Sequence, residues 1–144
     1  MATLTVANAV LTLTCTDLDI GPVQIQGFAT DDAFGAIAVK PVEVMVGVDA
    51  RKSQGYVAFL VPFPFTLQAD SPSVAIMDAI QEAQEAAQDA YGIGVSLSAP
   101  GLGKLWTFSS DGSLTEFPKI PAGKKLMQPM KYEITFGKMI SSVL

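Results

Sequence analysis

Asp31 and Asp32 stand side by side in the segment GFATDDAFGAI, Gly27–Ile37, which carries no other charge. Paired carboxylates can act as general acid and base, and about 5–9.5 Å apart in a cleft they can hydrolyse a glycosidic bond. Asp49 and Asp70 are the further acids such a hydrolase could draw on. The spacing predicts no such pair. Neighbours on an extended strand point to opposite faces. No His, Arg or Cys lies close in sequence to set two contrasting pKa values. In a turn, Thr-Asp-Asp bonds nearby backbone N–H groups. Turn or interface structure, rather than catalysis, is the expectation for Asp31 and Asp32.

Other chemistry is poorly provided. The chain has no histidine, which removes Ser–His and Cys–His nucleophiles, the commonest general base and nearly all zinc and copper sites. The single cysteine, Cys15, excludes an internal disulfide and a multi-cysteine metal site. Its alternating context suggests a small apolar strand residue. APGLGKLWTF, Ala99–Phe108, resembles a phosphate loop only superficially. Lys104 is followed by Leu105 where Ser or Thr is needed, and the glycine spacing is wrong. A turn leading into a strand that holds Trp106 and Phe108 is expected instead. With one arginine, Arg51, bidentate phosphate recognition is also scarce. We therefore expect no catalytic residue, no cofactor and no metal.

The elements that must position these residues are mostly strands. Leu11, Leu13 and Cys15 alternate with Thr12, Thr14 and Thr16; Leu4 and Val6 precede them in the opposite phase, so a bulge is expected across Ala7–Ala9. Val23 and Ile25 alternate with Gln24 and Gln26. Val42, Val44 and Val46 share a face. Phe63, Phe65 and Leu67 share another, with Pro62 and Pro64 opposite, which places that strand at a sheet edge. Met130, Tyr132, Ile134 and Phe136 alternate with Lys131, Glu133 and Thr135. GVDARKSQGYV, Gly47–Val57, reads as a polar loop between strands.

One segment has helical signals, over about residues 72–91. Ser71 can cap, Pro72 suits the first turn and Gly92 can terminate. Met77, Ile80, Gln84, Ala87 and Tyr91 form its apolar side. Asp78, Glu82, Glu85 and Asp89 line the other side with no lysine on the helix to relieve them. That stripe is either a solvated face or a contact for a basic partner. The predicted fold class is α+β, mainly β: an antiparallel β-sandwich or barrel with one flanking α-helix, in one domain spanning 1–144.

The composition points outward. Hydrophobic residues make up 49% and charged residues 16%, and the mean hydropathy is +0.38. One small domain struggles to hide so much apolar surface, and burial against copies of itself is the simplest outlet. A membrane is not: Met1–Thr16 is threaded with threonine, Ser53–Ala69 contains Pro62 and Pro64, and neither supplies about 20 apolar residues. MATLTVANAV lacks a basic region, so no signal peptide is expected. Five of the nine basic residues, Lys119, Lys124, Lys125, Lys131 and Lys138, lie late in the chain, while the helix is wholly acidic. Such separated signs suit head-to-tail docking of copies.

QIQGFATDDAF, VMVGVDARKSQGYV, TLQADSPS and LMQPMKYEITFG together resemble the tail tube proteins of contractile-tailed double-stranded DNA bacteriophages, over Leu4 to about Gly137. The resemblance implies a tail-tube-like fold in a non-enzymatic structural protein of the virion tail, assembled in the host cytoplasm. It implies homohexameric rings stacked head to tail into a hollow channel inside a contractile sheath. Its partners would be its own copies, the sheath, tail completion and baseplate proteins, and duplex DNA passing without specific binding, with no membrane insertion. Asp31, Asp32, Asp49, Arg51, Lys52 and Tyr56 are the candidate subunit-interface residues. Residues 138–144 are a candidate C-terminal arm docking on a neighbour. The inner tube of a phage-like bacterial injection device or tailocin is the same architecture in another setting. A soluble β-sandwich binding module is the rival from a different class.

Overall fold

A computed structural model describes residues 9–28 and 34–143. Asp31 and Asp32, and most of the Ala7–Ala9 segment expected to bulge, lie outside the described residues. Strand β1, Val10–Cys15, buries Leu11, Leu13 and Cys15 completely. A 3-10 turn over Thr16–Leu18 then takes Thr16 out of the strand, and Asp19 closes it in the left-handed region with φ of 55°. Strand β2, Ile20–Gln24, returns antiparallel to β1.

Strands β3, Val42–Val46, and β4, Lys52–Tyr56, form a two-stranded hairpin of their own. The loop expected over Gly47–Val57 is thus shorter than the sequence suggests. Lys52–Tyr56 pairs in full register with β3, from Val42 opposite Tyr56 to Val46 opposite Lys52. Polar composition masked a strand because its backbone is satisfied by its partner strand alone.

Strand β5, Val61–Leu67, is the edge strand its prolines require, in a sheet of order β5-β9-β8. The incoming chain clips onto its outer side: Gly35 N donates to the Pro64 carbonyl at 3.0 Å, and Gln68 N to the Gly27 carbonyl at 2.8 Å.

Helix α1 runs Val74–Ala87, inside the expected 72–91. Ser71 Oγ accepts from Ser73 N at 3.2 Å, so it orders the turn entering the helix, and both serines also bond outside it. The Ser71 hydroxyl donates to the Gln26 carbonyl, and Gln26 N donates to Ser73 Oγ at 2.8 Å. These two serines tie the helix to the chain leaving β2. At the other end Gln88, not Gly92, adopts the left-handed conformation, with φ of 52°.

Strands β6, Gly94–Ala99, and β7, Lys104–Phe108, flank a short 3-10 turn at Pro100–Leu102, as expected for the segment holding Trp106 and Phe108. Strands β8, Ser113–Glu116, β9, Met130–Phe136, and β10, Met139–Val143, complete the fold. The larger sheet has the order β10-β7-β6-β1-β2, with antiparallel neighbours throughout.

The two larger sheets pack face to face through aromatic rings. Phe108 of one lies 5.0 Å from Phe63 and 4.6 Å from Phe136 of the other, centroid to centroid. Phe65 and Tyr132 stack at 5.5 Å, and Met77 and Ile80 of α1 join the same buried cluster. Gly112 permits the close crossing between sheets. A Cβ there would overlap the Phe136 ring and lie 2.6 Å from the Ile93 carbonyl oxygen. The class is mainly β with one helix, an antiparallel sandwich, as the alternation predicts.

Candidate assembly interface

Four of the six interface residues proposed from sequence lie on the hairpin. Asp49 and Arg51 occupy its tip, Lys52 and Tyr56 the two ends of β4. The tip is ordered locally: Gly47 N donates to the Arg51 carbonyl at 3.0 Å, Ala50 N to the Gly47 carbonyl at 2.9 Å, and Arg51 N to Asp49 Oδ1 at 3.3 Å. Ala50 pays a steric cost there, with φ of 63°. At the base, Val57 N donates to the Pro41 carbonyl at 2.8 Å, and the Tyr56 ring meets Phe59 edge-on at 6.3 Å.

Every residue of β3 and β4 is exposed. Val44 is 54% exposed, Val46 72% and Tyr56 77%, although the register places Val42, Val44, Val46 and Tyr56 on one face. A two-stranded ribbon with no core of its own is marginal in water. This one displays an apolar stripe that the described residues leave exposed. At its base opens an apolar groove of about 470 Å³, lined in part by Ile37, Val39, Tyr56, Phe59, Val61 and Met139.

The acidic stripe of α1 is less uniform than the sequence suggests. Asp78 is half-buried, while Glu82 and Glu85 are exposed. Asp89 falls beyond the helix end, where its carboxylate accepts from Ala90 N at 2.8 Å. Lys119, 34 residues away, pairs with Glu85, so one member of the stripe is relieved within the chain. That contact holds the Glu85 carboxyl below its ordinary range, helped by Gln81. A lysine supplied by a distant loop leaves no trace in helical spacing.

Two further titratable groups have perturbed pKa values with structural causes. Asp111 bridges two turns, accepting from the Ser109 hydroxyl and from Gly137 N at 3.3 Å, and these bonds lower its pKa. Burial pushes the Cys15 thiol up, away from the reactive thiolate. Asp49 sits on the hairpin tip and Asp70 between β5 and α1, on separate elements. Among the described residues, no group of three or more His, Cys, Asp or Glu could hold a metal ion. Among those residues, too, no helix is long and apolar enough to cross a membrane.

Sequence reasoning missed the extent of one more surface. Thr12 and Thr14 face away from the core, and the sheet extends that face. Ser96 is opposite Thr12 and Thr107, and Ser98 is opposite Val10 and Leu105. The alternation in GVSLSA was the available signal.

A profile of the family described as tail fiber protein gp32 matches residues 2–140. The chain belongs to that family. Solved structures add the fold. A chain in the six-fold symmetrised cryo-EM structure of the anti-feeding prophage baseplate superposes with a TM-score of 0.62 at 13% identity, covering 99% of this chain and 98% of that one. A chain in the extended sheath-tube complex of an extracellular contractile injection system, PVC, gives 0.62 at 9% identity, over 99% and 93%. A chain in the cap structure terminating the anti-feeding prophage tube gives 0.58 at 9%, over 100% and 93%. No curated protein sequence matches the chain. The gp32-family chain thus has the fold of components of contractile, phage-like assemblies, and the sequence resemblance to tail structural proteins holds.

Proposed function

We propose that this chain is the subunit of a hollow tail tube. Six copies close a ring, and rings stack head to tail inside a contractile sheath. The observation that carries this reading is the hairpin, an ordered ribbon whose apolar face the described residues leave exposed. It reaches a neighbouring subunit, with Asp49, Arg51, Lys52 and Tyr56 in the contact and Asp31 and Asp32 as further members of it. The similarity to chains of sheath-tube and baseplate assemblies supports the same reading.

The larger sheet fits ring closure. Its outer strands β10 and β2 each lack a partner on one side among the described residues. Open edges are a hazard in a monomer and an asset in a ring. Met139–Val143, the segment expected to be an arm, pairs with β7 of its own chain. In the assembly its outer edge receives the next subunit. Glu82 and Asp89, with Asp78 and Glu85 beside them, face a basic sheath surface. Tail completion and baseplate proteins meet the ends of the stack, and duplex DNA passes through it. The particle is a virion tail assembled in the host cytoplasm; the inner tube of an injection device or tailocin has the same geometry, and neighbouring capsid and terminase genes would separate them.

The test is electron microscopy of the purified protein. Rings or tubes with a hollow centre are expected. Solid slender fibres, or a monodisperse monomer at micromolar concentration, would overturn the tube and favour a fibre or a soluble binding module respectively.

A further inference from the structure

The chain holds 23 charged side chains, nine basic and 14 acidic. The five strands of the larger sheet hold one, Lys104, which alternates in phase with Trp106 and Phe108 on the core side. The opposite face therefore carries none. Its centre is hydroxyl: Thr12 and Thr14 from β1, Ser96 and Ser98 from β6, Thr107 from β7, Ser142 from β10. These side chains are half-buried or exposed, and the ladders place them in contiguous rows. Val10, Leu105 and Ile140 are the apolar members of the same face. The other sheet contrasts with it. Its outward positions include Lys131 and Glu133 of β9, opposite Thr66 and Pro64.

We infer that this uncharged hydroxyl face is the channel wall and that its neutrality lets a duplex polyanion pass without being held. The inference rests on the tube reading above. A face with no apolar stripe like the hairpin's has little to gain from a protein partner, and hydroxyls keep water on the surface. A basic wall would release counterions and grip the duplex, with a steep salt dependence. An acidic wall would repel it. A neutral one does neither, at any ionic strength. Six copies of a five-stranded sheet, at about 4.8 Å between strands, close a barrel of roughly 23 Å backbone radius before tilt. That leaves room for a duplex and its hydration.

Two variants test this. Ser96→Cys places a thiol at the centre of the face, and Cys15 is fully buried, so the unmodified chain gives the background. In assembled tubes the new thiol should react with N-ethylmaleimide but not with a maleimide on a protein tens of kilodaltons in size, while both label free subunits. Labelling of tubes by the bulky reagent places the face outside; protection from both reagents makes it a subunit contact. Either result overturns the wall assignment while leaving the tube intact. Failure of the unmodified chain to form tubes overturns the tube reading and this inference with it. The second variant, Ser98→Lys, adds a ring of cations. Its tubes should retain a short fluorescent DNA duplex at 50 mM salt and lose about 10³-fold in affinity by 200 mM if six phosphates are neutralised. Unmodified tubes should retain none at either salt. Retention by unmodified tubes at 50 mM would refute the neutral wall.

Discussion

The β3–β4 hairpin and the β5–β9 pair are built from the same kind of pattern. VEVMV and VPFPF both alternate apolar residues along an extended strand, and both strands pair antiparallel in full register. In the β5–β9 pair the apolar phase disappears from solvent: Val61, Phe63, Phe65 and Leu67 are buried, as are Met130, Tyr132, Ile134 and Phe136. In the hairpin the apolar phase stays exposed at Val42, Val44 and Val46. Alternation reports that a strand has two unlike faces. It does not report whether the covering layer comes from the same chain. In the first region the cover is the larger sheet with Phe108; in the second the described residues supply none.

The sharpest way to break the comparison is to remove one buried ring. Phe136→Ala deletes a fully buried side chain in contact with Phe108. It should cost about 3–5 kcal/mol, through lost transfer energy and a cavity. The midpoint of guanidinium unfolding, with an unchanged slope, measures it.

Much of this contrast was legible in the residues. The strand around Phe63, its edge position and the β9 face follow from period two and from the missing N–H groups of Pro62 and Pro64. The helix was legible, but its ends were not. Ser71 reads as a cap in one dimension, and its Oγ does accept from Ser73 N, but in three its hydroxyl and that of Ser73 also bond Gln26, 45 and 47 residues away. Strand β4 was hidden because Lys52, Ser53, Gln54 and Gly55 bury nothing, so their pairing writes no hydrophobic period. The Lys119–Glu85 pair and the reach of the hydroxyl face depend on register between distant strands, which local spacing does not encode. The candidate hairpin residues were found as charges in a loop, without the exposed valines that give the loop its physical meaning.

A smaller effect tests how the buried region is joined. Ser73 is 3% exposed, and its Oγ accepts from Gln26 N at 2.8 Å. Ser73→Ala leaves that N–H without its partner and should cost about 1–3 kcal/mol. The same measurement applies, and amide exchange at Gln26 should quicken by a comparable factor.

The buried region also has a signature in pH. Burial, with Asp78 nearby as a lesser cause, pushes the Tyr132 phenol up to about 12. The ordinary value in an unfolded chain is about 10. Between those values the unfolded chain gives up the proton and the native state keeps it. The native state then binds more protons, so stability falls as pH rises. Below pH 10 the full stability is present. Tyr132→Phe should flatten the decline between pH 10 and 12, seen in thermal midpoints at successive pH values; an unchanged slope would remove Tyr132 as its source.

The smallest effect on stability is the most informative about the hairpin. Val46→Ser replaces an exposed side chain in a strand that touches no core, so the unfolding free energy of the isolated subunit should move by no more than about 0.5 kcal/mol. If Val46 is covered only in the assembly, the same change should raise the concentration at which subunits associate, by about tenfold for each 1.4 kcal/mol of lost contact. Sedimentation of the subunit and of the assembly separates the two readouts. A large loss of subunit stability would mean that the hairpin packs on its own body in solution. Equal behaviour to Phe136→Ala would erase the distinction between the two regions. A stable subunit that no longer associates would show that apolar alternation can be written for a surface another copy supplies.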